Sequence, residues 1–360
     1  MENAPAGTIP DEAITLTELR LAARNTGLPL EALRHDITPP GLHYLLIHYD
    51  IPAVDVDSFR LEVGGAVERP LTLSLADLKA RERVALPITF ECAGNGRALL
   101  HPRPLSQPWL TEAVGTAEWA GTPLAPLLDE AGVRPGAVEA LFTGLDRGVE
   151  GGEAQSYERA LALGDTQNAM LAYEMNGAPL PPQHGFPLRL VVPGWYGMTN
   201  VKWLTRITLL EQPFEGFQNA VAYRIYNSDG EPGEPVTRMA PRSLTVPPGV
   251  PDFLTRERHL EPGPVTLTGR AWSGLAPIER VEVSTDGGSS FAPADLDEPL
   301  GEAAWRGWRF DWDAPEGEHM LSSRATDAAG NTQPLEAPWN LKGYANNAVE
   351  RVVVVVRADA

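Results

Sequence analysis

Thr89-Phe-Glu-Cys-Ala-Gly-Asn-Gly-Arg97 is the most unusual string in the chain, and its reading governs the rest. An apolar strand runs into it, and Cys92 then opens a turn of small residues. Gly94 and Gly96 are expected to let the backbone pass close to a bulky ligand. Arg97 sets a permanent cation five residues after the sulfur. A nearby cation favours thiolate, the form that binds soft or high-valent metals. Three readings follow from the string itself: a metal ligand, a nucleophile, or a buried thiol beside a glycine turn.

Working outward, Cys92 is the single cysteine of 360 residues, so no intramolecular disulfide is possible and the core carries the stability. The length suits two domains. Lys plus Arg is 29 against 48 Asp plus Glu, a net charge of −19. Such a chain repels nucleic acid and anionic membranes, and an anion-using site would need its own local cations. The longest apolar run near the C-terminus, Val352 to Val356, is far short of the roughly 20 residues of a spanning helix. Met1 to Asp11 holds two acids and no base, so no secretory signal is visible. The expected location is cytoplasmic, or periplasmic if a leader has been removed.

With 34 glycines and 34 prolines, turns and short strands should outnumber long helices. Residues 11–35 offer a helical stretch, with Leu16, Leu19, Leu21 and Ala22 as core candidates. Leu75 to Lys79 and Leu124 to Glu130 read as short helices. Leu61 to Val63, Leu71 to Leu73, Leu188 to Val192 and Val201 to Leu210 read as strands. The first 225 residues therefore read as α+β. Residues 226–253 carry six prolines and read as a linker, or as an extended stretch over the surface. Beyond them, alternating runs at Val265 to Thr268 and Arg280 to Ser284, with a turn at Asp286-Gly287-Gly288, suggest an all-β, immunoglobulin-like sandwich. The expected domains are 1–235, with an N-terminal arm over 1–40, and 236–360.

Cys92-Ala-Gly-Asn-x-Arg97 resembles the molybdenum-ligating loop of the sulfite oxidase family, which includes assimilatory nitrate reductases. Trp109 and Trp119 have the spacing of that family. The stretch Leu171-Ala-Tyr-Glu-Met-Asn-Gly, continuing through His184-Gly-Phe-Pro-Leu-Arg189 to Asn200-Val201-Lys202-Trp203, is similar to it and highly specific. The C-terminal strings Val283 to Gly288, Ala325 to Pro334 and Trp339-Asn-Leu-Lys-Gly343 extend the resemblance over roughly residues 40–360.

The resemblance implies a sulfite-oxidase-type molybdopterin-binding domain followed by a dimerisation sandwich, and a molybdenum–molybdopterin cofactor held through Cys92. Asp146, His184, Arg189, Asn200, Val201 and Lys202 match positions that seat the pterin and its phosphate. The implied chemistry is oxygen-atom transfer, with sulfite oxidation first. The alternative is reduction of sulfoxide, S/N-oxide or nitrate. A non-catalytic binding protein is the remaining class. Sulfite pockets of the family carry three arginines, a tyrosine and a tryptophan. Arg97 matches one arginine, Trp109 the tryptophan, and Tyr223 the tyrosine, with Tyr226 a rival. His48 and Lys342 stand where the other two arginines belong. Lysine keeps the charge but loses the planar fork, and an ordinary histidine is mostly neutral at pH 7. The pocket is thus expected to be less cationic than a dedicated sulfite site. No haem or flavin domain is expected, so electrons should pass to a separate carrier such as a cytochrome, or to oxygen. A homodimer is implied by the resemblance.

Overall fold

The strand that leads into the cysteine, Val84–Glu91, is partly buried over its first four residues and wholly buried over its last four. It pairs antiparallel with Val114–Pro123, bringing Phe90 opposite Gly115 and Glu91 opposite Val114. Met170–Met175 continues this sheet, and Arg189–Val191 pairs with Met170–Met175. A second five-stranded sheet runs Leu71–Leu73, Leu61–Gly65, Leu204–Leu210, Glu139–Glu150, Glu153–Ala162. The computed structural model describes residues 14–228 and 230–358. Met1 to Asp11, read above for a leader, lie outside the described residues.

The first half is mostly β with few helices, which corrects the α+β expectation. Its α-helices are short: Leu16–Ala22, Leu75–Lys79 and Ala125–Ala131. Most strand pairs here are antiparallel and need no crossover helix, and a tight turn joins Glu139–Glu150 to Glu153–Ala162. The first helix also corrects the expected core. Leu16 and Leu19 are exposed, and Glu18 is fully buried. Arg103 reaches Glu18 at 2.9 Å, and Thr15 completes a capping box with it. A buried charge with such partners is tolerated.

The proline-rich stretch is exposed along most of residues 230–238 and then enters the core. Arg242–Thr245 is a strand buried at all four residues. It begins a four-stranded sheet with Gly263–Trp272, Arg306–Ala314 and Asp295–Leu296. A six-stranded sheet packs on it through Leu267, Val281, Trp308, Leu321 and Val354. Val352–Val356 lies inside that second sheet, between Arg258–Leu260 and Gly317–Asp327.

The C-terminal half grips the cysteine strand directly. Arg242 Nε lies 3.0 Å from Glu91 Oε1, and both side chains are almost fully buried. The Trp272 indole donates to Glu91 Oε2 at 2.9 Å. Thr89 N–H donates to Ala303 O at 2.9 Å, and Thr89 Oγ1 accepts from Trp305 N–H at 2.7 Å. Burial pushes the Glu91 carboxyl up, while Arg242, Trp272 and Asn95 oppose it.

Removing one partner of such a pair strands the other charge in a dry interior. Arg242→Met should lower unfolding free energy by about 3–5 kcal/mol in urea titration. The double variant Glu91→Leu/Arg242→Met should recover part of that loss. A double variant no more stable than the single one would refute the ion-pair account.

Candidate cofactor and substrate site

Backbone constraints build the cysteine loop. Cys92 N–H donates to Ala113 O, and Cys92 O accepts from Asn95 N–H, both at 2.9 Å. The buried Asn95 amide donates to Glu91 Oε1 and Thr111 O, each at 3.1 Å, and its oxygen accepts from Ala113 N–H at 3.0 Å. A Cβ on Gly94 would stand 2.6 Å from an Arg97 guanidinium nitrogen. That glycine therefore makes room for Arg97, not for a bulky ligand as the sequence suggested. Ala345 N–H and the Asn346 amide hold the loop from the C-terminal segment, through Ala93 O and Gly96 O.

Cys92 is half-buried and lies on the wall of an open-mouthed cavity. Burial pushes its thiol up, while Arg97, the Gly94 N–H and the Trp109 indole pull it down. Asp146, His184, Arg189, Asn200 and Lys202 line the same cavity, so five of the six expected cofactor positions meet there. Val201 is packed in the main core and not on the wall. Its carbonyl accepts from Leu190 N–H at 2.8 Å, which sets the strand carrying Arg189.

Two cations share this wall. The buried Arg189 donates to His184 O at 2.9 Å and Asn200 O at 3.1 Å, and its Nε has no partner. Its guanidinium rests over the Trp119 ring at 4.6 Å. Lys202 Nζ donates to Leu46 O at 2.8 Å and Gln183 O at 3.1 Å. Neither forms an ion pair among the described residues. Burial, then Arg189, pulls the Lys202 ammonium down to about 7, with Asp146 opposing. Burial raises Asp146 to about 6, with Lys202 opposing, and its Oδ1 has no partner.

His43, absent from the sequence reading, joins this wall. Gly115 permits it, because a Cβ there would lie 2.7 Å from the imidazole. The His43 and His184 rings meet edge to face at 5.5 Å. Burial chiefly pulls them down to about 4 and about 2, so both are neutral at pH 7. His43 Nδ1 lies 3.0 Å from Tyr44 O, which makes it the N–H donor and leaves Nε2 a free acceptor.

On the substrate side, Tyr223 and His48 line the cavity, and Tyr226 does not. The Tyr226 hydroxyl instead donates to Val221 O at 3.1 Å. Arg97, Trp109 and Lys342 are not among the cavity's lining residues. Arg97 Nε donates to Lys342 O at 2.6 Å, and its guanidinium covers the Tyr344 ring at 5.0 Å. The Lys342 ammonium is taken by Val221 O and Ala222 O. His48 Nε2 is 2.9 Å from Glu150 Oε2. Glu150 also accepts from the Tyr49 hydroxyl at 2.8 Å and the Gln218 amide at 3.3 Å. The sequence reading missed Glu150, Tyr157 and Arg159. The alternation of Tyr157 and Arg159 along one strand face was the available signal.

Residues 48–218 match the oxidoreductase molybdopterin binding domain, and residues 236–357 match the Mo-co oxidoreductase dimerisation domain. The chain is 36% identical to mitochondrial sulfite oxidase of Homo sapiens, over 92% of this chain and 64% of that protein. It is 36% identical to sulfite oxidase of Gallus gallus, over 88% and 72% of the two chains. The crystal structure of the sulfane dehydrogenase SoxCD from Paracoccus pantotrophus superposes with a TM-score of 0.80 at 26% identity, covering 99% of this chain and 95% of that one. The chain thus spans about two thirds of the human relative's length. By these matches, the chain belongs to the sulfite oxidase family of molybdopterin-binding oxidoreductases.

Proposed function

We propose that the cavity seats a molybdenum–pterin cofactor bound through Cys92 and that the protein oxidises sulfite to sulfate. The observation that carries this reading is the pair of buried cations, Arg189 and Lys202, which form no ion pair among the described residues, on the wall that also bears Cys92. Buried unpaired charges are costly, and a phosphate would satisfy both. The orphaned His43 Nε2 and Asp146 Oδ1 fit the polar edge of a pterin. His184 and Asn200 would complete its seat, with Val201 setting the backbone between them.

When bound, the molybdenum centre supplies two-electron oxygen-atom transfer. Sulfite then takes up one oxygen originating from water, and two electrons and two protons leave. The chain's own residues have distinct parts. Burial raises the Cys92 thiol, and Arg97, the Gly94 N–H and Trp109 oppose that rise, easing formation of the thiolate a metal needs. Tyr223 borders the reacting space, and the phenols around it exclude water. Lys342 fixes the turn before Tyr223. Electrons pass to a separate carrier or to oxygen. The second half, residues 236–360, serves as an immunoglobulin-like dimerisation domain of a homodimer, and residues 1–235 form the catalytic domain.

Reduction of a sulfoxide, S/N-oxide or nitrate is the second reading. It draws on Glu150, which occupies His48 and lowers the free positive charge at the pocket.

Purified protein should contain one molybdenum per chain and turn over sulfite with an artificial electron acceptor. Cys92→Ser should lower sulfite turnover more than about 100-fold. Turnover of a sulfoxide or nitrate, with none of sulfite, would favour the second reading, and a metal-free protein would refute both.

The cation pair also makes a prediction independent of turnover. The depressed Lys202 value means the ammonium is disfavoured in the folded state. Its penalty is absent above the ordinary lysine range and grows as pH falls to about 7. An anion between Arg189 and Lys202 relieves that penalty by drawing a proton onto Lys202. Sulfate, whose charge is constant here, should therefore stabilise cofactor-free protein in thermal-shift assays. The shift should be larger at pH 6.5 than at pH 9.5, and Lys202→Met should flatten this pH dependence. Equal shifts at both pH values in the wild type would count against the paired site.

A further inference from the structure

Arg159 lies in strand Glu153–Ala162, two residues after Tyr157, so both project to the same face. Tyr157 lines the cavity, and its hydroxyl donates to Met198 O at 2.7 Å. Arg159 is only 3% exposed, and it forms no ion pair among the described residues. One terminal nitrogen donates to Gln218 O at 2.6 Å, while Nε has no partner. Its guanidinium lies over the Tyr223 ring at 5.4 Å. Tyr223 in turn packs against Tyr344 at 5.6 Å, and Arg97 covers the far ring. Two permanent cations therefore bracket a pair of phenols at the cavity's edge.

His48, expected to stand in for a lost arginine, is engaged by Glu150. Lys342, expected to stand in for the other, is spent on two carbonyls. Charge available to an oxyanion must come from elsewhere. We propose that Arg159, held behind Tyr223 and not itself on the cavity wall, is the second permanent cation serving the substrate pocket, positioning Tyr223 and drawing an oxyanion substrate to it. Gln218 links this cation to the competing carboxylate. Its backbone carbonyl takes Arg159 and its side-chain amide takes Glu150. The turn Gln218–Ala222 leads into Tyr223, whose N–H closes on Gln218 O at 3.2 Å. Arg159 thus fixes Tyr223 from two sides, through its ring and through its backbone.

The inference rests on the oxyanion reading above, and its test separates the two. The molybdenum-loaded enzyme and its Arg159→Met and Arg159→Lys variants are compared for sulfite KM, kcat and inhibition by sulfate. Arg159→Met should raise KM for sulfite and the inhibition constant of sulfate together, by roughly 10- to 30-fold, with kcat changed less than about 5-fold. Arg159→Lys should recover part of both, because the charge survives. Molybdenum content should be unchanged. A purely structural role would lower metal content and kcat while leaving the sulfate constant where it was. If Arg159→Met does not fold, the Arg159→Lys comparison carries the test. Variants matching wild type in KM and sulfate inhibition would overturn the inference while leaving sulfite turnover intact. A larger KM effect from His48→Asn than from Arg159→Met would overturn it too. Wild type that neither turns over sulfite nor binds sulfate would sink the oxyanion reading, and this inference with it.

Discussion

The buried contact between Glu91 and Arg242 joins the cysteine strand to the second half of the chain, and the site depends on it. Glu91 precedes the thiol by one residue, so whatever fixes its carboxylate fixes Cys92. Arg242, Trp272 and Asn95 all converge on that carboxylate. A buried carboxylate that loses its donors is destabilising, so the strand end has little freedom to shift. The second half is therefore part of the site's framework as well as a candidate interface. Contacts from Ala303, Trp305, Ala345 and Asn346 to the same strand and loop point the same way.

Electrostatics divides the cavity into two regions. One wall holds Arg189 and Lys202 beside two histidines that burial keeps neutral. Neutral imidazoles suit a ligand with both donors and acceptors, because each ring offers one of either kind. The uncompensated cations suit a phosphate. In a chain of net charge −19, this local concentration of positive charge is a departure that folding has to sustain. It is sustained by carbonyls and aromatic faces, which stabilise a cation without cancelling it.

The substrate side is arranged differently from what its motif positions suggest. His48 and Lys342 occupy the expected places, yet their polar groups are committed to Glu150 and to the turn at Val221 and Ala222. The phenols of Tyr223 and Tyr344 lie between Arg97 and Arg159. Charge at this end comes from guanidinium groups held behind aromatic rings, where solvent competes less for them.

The sequence alone determined the cysteine loop. Asp146, His184, Arg189 and Lys202 were expected only from a family resemblance, and folding sets them on one wall with Cys92. The cysteine loop itself is a contiguous string whose spacing is set by strand and turn geometry. The short helices at Leu75–Lys79 and Ala125–Ala131, and the valine strand, were legible for the same reason. Only the tertiary structure decided the rest. It brought in His43 against Gly115, Glu150 against His48, and Arg159 against Tyr223. It buried Glu18 in place of Leu16 and Leu19, because Arg103 arrives from 85 residues away. It turned Arg242–Thr245, within the proline-rich stretch, into a core strand whose first residue meets Glu91. Local pattern reports which residues share a face. Which distant charge or ring meets that face is set by how the sheets pack, and no periodicity records it.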